Sequence, residues 1–191
     1  PADDGWFDAE LSLVSADGGE PRRLVKTGKQ FAAPRWSPDG KSIAYISCTW
    51  SDPGLIGGDL FMIDVQSGVI RNLTDGLALS VSWFQWKSDG AGLLAMAHTG
   101  GNVSLNEIDL RSGKVNQLWA GPFTFSERSQ PKFTTNRTSE LVAVALHRDE
   151  LYGRLLPGFE EPRWRCYVLG QLCLGWFAPE LAHATGADGE A

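Results

Sequence analysis

Pro34-Arg35-Trp36-Ser37-Pro38-Asp39-Gly40-Lys41-Ser42-Ile43-Ala44-Tyr45 decides the fold, because it recurs. It returns as Phe84-Gln85-Trp86-Lys87-Ser88-Asp89-Gly90-Ala91-Gly92-Leu93-Leu94-Ala95. A worn third copy, Pro131-Lys132-Phe133-Thr134-Thr135-Asn136, leads into Leu141-Val142-Ala143-Val144-Ala145 and carries an aromatic at Phe133. A second phrase interleaves with the first. Leu60-Phe61-Met62-Ile63-Asp64-Val65-Gln66-Ser67-Gly68-Val69-Ile70-Arg71-Asn72-Leu73-Thr74 matches Asn106-Glu107-Ile108-Asp109-Leu110-Arg111-Ser112-Gly113-Lys114-Val115-Asn116-Gln117-Leu118. An earlier copy runs from Leu11 to Leu24. One Ser-Pro-Asp-Gly is a common turn and decides little. Two phrases alternating between Glu10 and Leu146 are the mark of a repeat architecture with a period of roughly 40–50 residues.

The first phrase reads as strand, turn, strand. Pro38 presets φ at the second turn position, Asp39 and Asp89 tolerate the third, and Gly40 and Gly90 supply the permissive backbone. The strand that follows is apolar on both faces: Ile43-Ala44-Tyr45-Ile46, Leu93-Leu94-Ala95-Met96-Ala97 and Leu141 to Leu146. Such a strand must be covered on both faces. The second phrase is also a hairpin, with Gly68 and Gly113 expected in the left-handed conformation. Together the phrases supply four strands per unit, which is one propeller blade. A helical reading fails, since Gly or Pro interrupts most windows and none keeps a 3.6 period. The predicted fold is all-β: a partial β-propeller of about three four-stranded blades, starting and ending within a blade. Trp36 and Trp86 are equivalent positions and are expected in the core. Exposed sheet edges predict a chain that associates or dissolves poorly.

Composition narrows the function classes. The chain has 191 residues, 17 basic and 23 acidic, for a net charge of −6. That argues against a nucleic-acid footprint. No stretch reaches the ~20 apolar residues of a spanning helix, so neither nucleic acid nor membrane is an expected partner. Cys48, Cys166 and Cys173 form no disulfide framework and no usual metal spacing. The chain opens on Pro1 rather than Met, with no visible signal sequence, so a start other than the native one is expected. The compartment stays open.

The grammar stops near Glu150. Asp149-Glu150-Leu151-Tyr152 could open another second phrase, but Gly153-Arg154-Leu155-Leu156-Pro157 does not complete it. Residues 1–150 are therefore assigned to the propeller segment. Residues 151–191 are an irregular tail with no derivable fold, either a cap on the last blade or a sequence foreign to the repeat.

The first phrase resembles the Pro-x-Trp-Ser-Pro-Asp-Gly-Lys-x-Ile-Ala repeat of TolB-like propellers. The same repeat builds the N-terminal propeller of the prolyl oligopeptidase family of serine peptidases, including acylaminoacyl-peptidase-like members. The resemblance spans roughly residues 10 to 150 and is carried by Trp36, Pro38, Asp39, Gly40, Trp86, Asp89 and Gly90. The second phrase leans toward the peptidases, because it reads Asp-x-x-Ser-Gly in two copies rather than the Asp-Gly-Gly type usual in TolB. In those peptidases the propeller sits over an α/β-hydrolase domain and restricts access to small peptides. The resemblance thus implies a gating segment whose partner is a C-terminal hydrolase domain of the same protein, with peptide substrates met indirectly. The alternative is a TolB-like propeller used for protein–protein binding.

No catalytic residue is expected in this chain. A hydrolase nucleophile usually sits in Gly-x-Ser-x-Gly, and the nearest string, Gly40-Lys41-Ser42-Ile43-Ala44, lies inside a blade hairpin. His98 and His147 end equivalent strands, so their likeness reflects the repeat, and His183 lies in the tail. Recurrent Asp39, Asp64, Asp89 and Asp109 suit turn capping better than a metal, and no cofactor is expected. Trp50 and Trp83 break the repeat and are freer to contact a ligand, though packing is favoured. Three sequons, at Asn72, Asn102 and Asn136, carry little weight without evidence of secretion.

Overall fold

Strand order follows the two phrases. In the computed structural model, residues 9–49, 56–125, 133–148 and 165–170 are described. They form β1 (Glu10–Leu13), β2 (Arg22–Lys26), β3 (Gln30–Trp36), β4 (Ser42–Cys48), β5 (Asp59–Asp64), β6 (Ile70–Asn72) and β7 (Ser80–Trp86). Then follow β8 (Gly92–Thr99), β9 (Asn102–Asp109), β10 (Val115–Gly121), β11 (Phe123–Phe125), β12 (Phe133–Thr135), β13 (Leu141–Arg148) and β14 (Arg165–Gly170). There is no helix among the described residues. Trp50 and His183 lie outside them.

Two complete four-stranded antiparallel sheets run β3-β4-β5-β6 and β7-β8-β9-β10. Each is a first phrase followed by a second, joined in sequence order, as a propeller blade requires. β1 and β2 pair as the second phrase alone, in the place of a blade's two outer strands. In the last sheet β13 pairs with β11, β12 and β14. Its pairing with β14 joins Leu141–Leu146 to Gly170–Arg165. β4 joins Ser42–Ser47 to Asp64–Asp59 in the same register. So Arg165–Gly170, from the segment that read as an irregular tail, occupies the third-strand position of its blade. The rest of 151–191 lies outside the described residues.

Cover on both faces is what the sheets achieve. Ile43, Tyr45 and Ile63 turn toward the first sheet and cluster with Leu11 and Val25. Their neighbours Ala44, Ile46 and Leu60 turn the other way, onto Val81, Phe84, Leu93, Ala95 and Ala97. On the far face of that blade, Leu94, Met96 and Leu105 meet Phe133, Val142 and Val144. Alternation along the strand therefore loads successive side chains into successive seams. Burying a residue such as Ile46, Leu60, Phe84 or Met96, each 0% exposed, is worth about 1.5–3 kcal/mol. Small alanines at 44, 95 and 97 are 0–1% exposed, and they let the sheets approach closely.

Two sequence expectations need correction. Trp36 is 50% exposed, while Trp86 is half-buried against the seam. Trp36 pairs with Ile43 and shares its face. Among the described residues that face meets only the two strands β1 and β2, so nothing covers it at the level of an inner strand. The second correction concerns Phe133. Ser37 N–H donates to Ser42 O, Lys87 N–H to Gly92 O, and Asn136 N–H to Leu141 O. These bonds align Asn136 with Ser37, which makes Thr135 the counterpart of Trp36 and Trp86. Phe133 instead matches Phe84, and both are buried, at 3% and 0% exposure. A two-residue offset keeps the strand face, which is why the aromatic still reaches the core.

Candidate functional site

The repeat turns and the inner strands together make the seam between the two complete blades. At the turns, Asp39 Oδ1 accepts from Ser37 Oγ at 2.6 Å and from Lys41 N at 3.1 Å. Asp89 Oδ1 accepts from Ala91 N at 2.9 Å. Gly40 and Gly90 both have φ of 69°, which glycine adopts without steric cost. In the third copy Ser139 takes φ of 60° in that place, and Asn136 Oδ1 accepts from Glu140 N and Leu141 N at 2.9 and 3.0 Å. A capping Asn thus replaces the lost Asp-Gly.

The second-phrase turns use a different carboxylate. Asp64 Oδ1 accepts from Ser67 N and Ser67 Oγ, both at 2.7 Å. Asp109 Oδ1 does the same with Ser112 N and Oγ at 2.6 and 2.7 Å. Gly68 and Gly113 close these turns at φ of 73° and 71°. Hydrogen bonds from the Ser67 amide and hydroxyl hold Asp64 below the usual carboxylate range, and Ser112 does so for Asp109. Asp39 is lowered first by the Ser37 hydroxyl, then by the Lys41 amide. All four aspartates engage Oδ1 within their own turn, with a backbone amide and, for Asp39, Asp64 and Asp109, a serine hydroxyl as well. Among the described residues no group of three or more His, Cys, Asp or Glu could hold a metal.

Between the turns of neighbouring blades lies an open groove of about 410 Å³, lined by Ser37, Pro38, Met62, Trp86, Asp89 and Leu110 among others. Trp86 forms one wall, and its Nε1–H donates to Arg35 O of the preceding blade at 3.1 Å. Deeper along the inner strands the polar links continue from sheet to sheet. Arg35 lies over the Trp83 ring, its Cζ 4.3 Å from the centroid. Trp83 Nε1–H and Gln85 Nε2–H both donate to Phe133 O, at 3.2 and 3.0 Å. Thr135 Oγ1 then donates to Gln85 Oε1 at 3.2 Å. Arg35 and Gln85 were not singled out by the sequence. Their signal was present, as the residues immediately before Trp36 and Trp86 in the first phrase.

Other sequence candidates fall away from this wall. Ser42 is a β4 residue whose N–H donates to Ser37 Oγ at 2.9 Å. His98 stands at the far end of β8, paired with Ser80. Asn72 Nδ2–H donates to Asp59 Oδ2 at 3.0 Å, and Thr74 is fully buried, which commits the first sequon to the fold.

Sheets built from alternating phrases, packed face to face and tied at their inner strands, define a partial β-propeller of TolB-like blades. Comparison with known proteins places it further. No family model matches the chain. It is 28% identical over 160 residues to dipeptidyl-peptidase 5 of Porphyromonas gingivalis, covering 75% of this chain and 23% of that protein. It is 33% identical over 79 residues to the uncharacterized peptidase YuxL of Bacillus subtilis, covering 41% and 11%. Tol-Pal system protein TolB of Ruthia magnifica is 28% identical over 120 residues, covering 60% and 26%. The chain spans about a quarter or less of the length of these relatives.

Among solved structures, puromycin hydrolase superposes with a TM-score of 0.56 at 16% identity, over 87% of this chain and 23% of that one. The β-propeller domain of the Trilobed protease from Pyrococcus furiosus gives 0.51 at 16% identity, over 83% and 44%. Oligogalacturonate lyase from Vibrio parahaemolyticus gives 0.63 at 13% identity, over 86% and 40%. These structures establish the fold. With the sequence relatives, they show that the chain resembles the TolB-like propeller of prolyl oligopeptidase-family peptidases.

Proposed function

We propose that this chain is a non-catalytic propeller segment, residues 1–150, of a prolyl oligopeptidase-family serine peptidase. Its role is to gate access of peptides to an α/β-hydrolase domain of the same protein. The observation that carries the reading is the match to dipeptidyl-peptidase 5, which extends over 75% of this chain and therefore over successive blades rather than one repeat. The site chemistry agrees. The repeat positions Pro38, Asp39, Gly40, Gly68, Trp86, Asp89, Gly90 and Gly113 serve turns and packing, Trp36 stands half exposed, and the chain carries no Gly-x-Ser-x-Gly. What a propeller contributes without a nucleophile is geometry: packed blades that set which substrates pass.

A second reading has its own support. The match to TolB over 120 residues favours a propeller that binds another protein. The two readings part at one experiment. A protein containing this segment, treated with a fluorophosphonate probe, is labelled at a serine outside residues 1–150 if it is a peptidase, while the 191-residue chain itself is not. Gating adds a size limit. Loosening the blade seam with Trp86→Ala should extend cleavage from short peptides to longer ones. Absence of labelling would move the assignment to the binding propeller, and labelling with no change in size limit would remove the gate.

A further inference from the structure

Arg35 is a cation whose environment is finished on one side and open on the other. Its guanidinium lies 4.3 Å from the Trp83 ring centroid and 6.0 Å from that of Phe84. The residue as a whole is half-buried. Its Nε is sealed from solvent and has no hydrogen-bond partner among the described residues. Burial pulls its pKa down, and among the described residues no acidic group offsets the effect. A guanidinium stays charged even so. A half-desolvated positive charge without a carboxylate is costly unless something compensates it. Stacking on Trp83 supplies part of that and satisfies the flat face. It leaves the edge, where the N–H donors point, to be satisfied.

The surroundings of that edge suit an extended anionic ligand. β3 and β7 are the end strands of their sheets, so each has one edge without a ladder partner among the described residues. On β7 the Val81 N–H already donates to Gly58 O at 2.8 Å, and edge N–H groups without such a partner can donate to a ligand. The two strands flank the seam in which Arg35 sits. Arg35 also adjoins the β3 bulge, where Ala33 has φ of 51°. Strain of that kind in a non-glycine residue clusters at ligand clamps.

We propose that the inner-strand seam between the two complete blades binds a peptide carboxylate, held edge-on by the Arg35 guanidinium and backed by the Trp83 ring. A planar guanidinium matches a carboxylate with two parallel hydrogen bonds. A single cation in a chain of net charge −6 suits a monoanion better than a phosphate dianion. The carboxylate is either a peptide C-terminus or an acidic side chain. The assignment holds for a peptidase propeller and for a binding propeller alike, so it does not rest on the peptidase reading.

The test uses the 191-residue chain and an arginine-specific reagent. Phenylglyoxal modification of Arg35 is followed by peptide mass spectrometry, with Arg22 and Arg111 as internal references. N-acetyl-dialanine with a free C-terminus should slow modification of Arg35 in a saturable way and leave the references unchanged. Its C-terminal amide should not. Protection by N-acetyl-glutamate α-amide, whose only carboxylate is on the side chain, assigns the site to side-chain carboxylates too, and failure of that probe restricts it to C-termini. Titration calorimetry on Arg35→Gln should show binding weakened by about tenfold or more, with Arg35→Lys partly restored. Three results overturn the proposal: equal protection by the amide, equal protection by sodium chloride at matched ionic strength, or an Arg35 that the reagent never reaches.

Discussion

Trp36 and Trp86 hold the same place in successive inner strands, yet among the described residues only Trp86 has a partner for its indole N–H. Trp86 donates to Arg35 O at 3.1 Å, whereas Trp36 is 50% exposed. Trp86→Phe should therefore cost about 1 kcal/mol, and Trp36→Phe should change stability by less than about 0.5 kcal/mol, both read by chemical denaturation. Equal costs would show that the repeat position, not the contact, sets the energy. Gly92 makes a sharper case. A Cβ built there meets the carbonyl oxygen of Ile108 on β9, inside contact distance. Backbone cannot yield as a flexible side chain can, so Gly92→Ala should destabilise by about 1–3 kcal/mol. The same substitution at Gly100, which has open space around it, meets only the strain of its φ of 53°. Part of this was legible in the sequence. Pro38, Asp39 and Gly40 announce a turn by their own chemistry. Exposure of Trp36 was not legible, because a residue's cover depends on the neighbouring sheet and not on its own phrase.

Hairpins of the second phrase stand on carboxylates whose pKa values are lowered. Asp64 and Asp109 each fix the amide and hydroxyl of a serine three residues on. A lowered folded pKa means that the unfolded chain takes up protons first as the pH falls. The contribution of these turns is complete above the ordinary carboxylate value of 3.8. It is lost as the pH falls below that value and through the folded pKa. Stability should thus drop as the pH is lowered below about 4 and on through the folded pKa values, and the Asp64→Asn, Asp109→Asn double variant should flatten that slope. An unchanged slope, measured by denaturant midpoints at each pH, would place the acid sensitivity elsewhere. Element order was legible because phrase and hairpin coincide. The third-strand role of Arg165–Gly170 was not, since Arg165-Cys166-Tyr167-Val168-Leu169-Gly170 has none of the flanking turn residues that mark its counterparts. Phe133 misled for a related reason: it lies two residues from its apparent match, and a period of two hides that shift.

At the scale of the whole molecule, the described blades leave surface that a neighbour would normally take. Trp36 stands open beside Pro34, and β1 has one unpaired edge among the described residues. The chain alone should therefore self-associate. Light scattering should show mass rising with concentration, and a sharp monomeric peak with a cooperative melt would contradict it. One more regularity runs through all the blades. The β3–β4 ladder slips between Ala32 and Arg35, and the β7–β8 ladder slips between Val81 and Trp83. In the last blade β11 and β12 join the same edge of β13 on either side of Ala145, with residues 126–132 between them. The irregularity falls at nearly the same height each time, on the strand nearest the axis, and leaves the middle strands in unbroken register. An architecture of this kind separates two kinds of inheritance. Middle strands preserve the molecule's cohesion, while a single weak stitch in each inner strand can accept new sequence, so the bore can diversify among descendants without disturbing the walls.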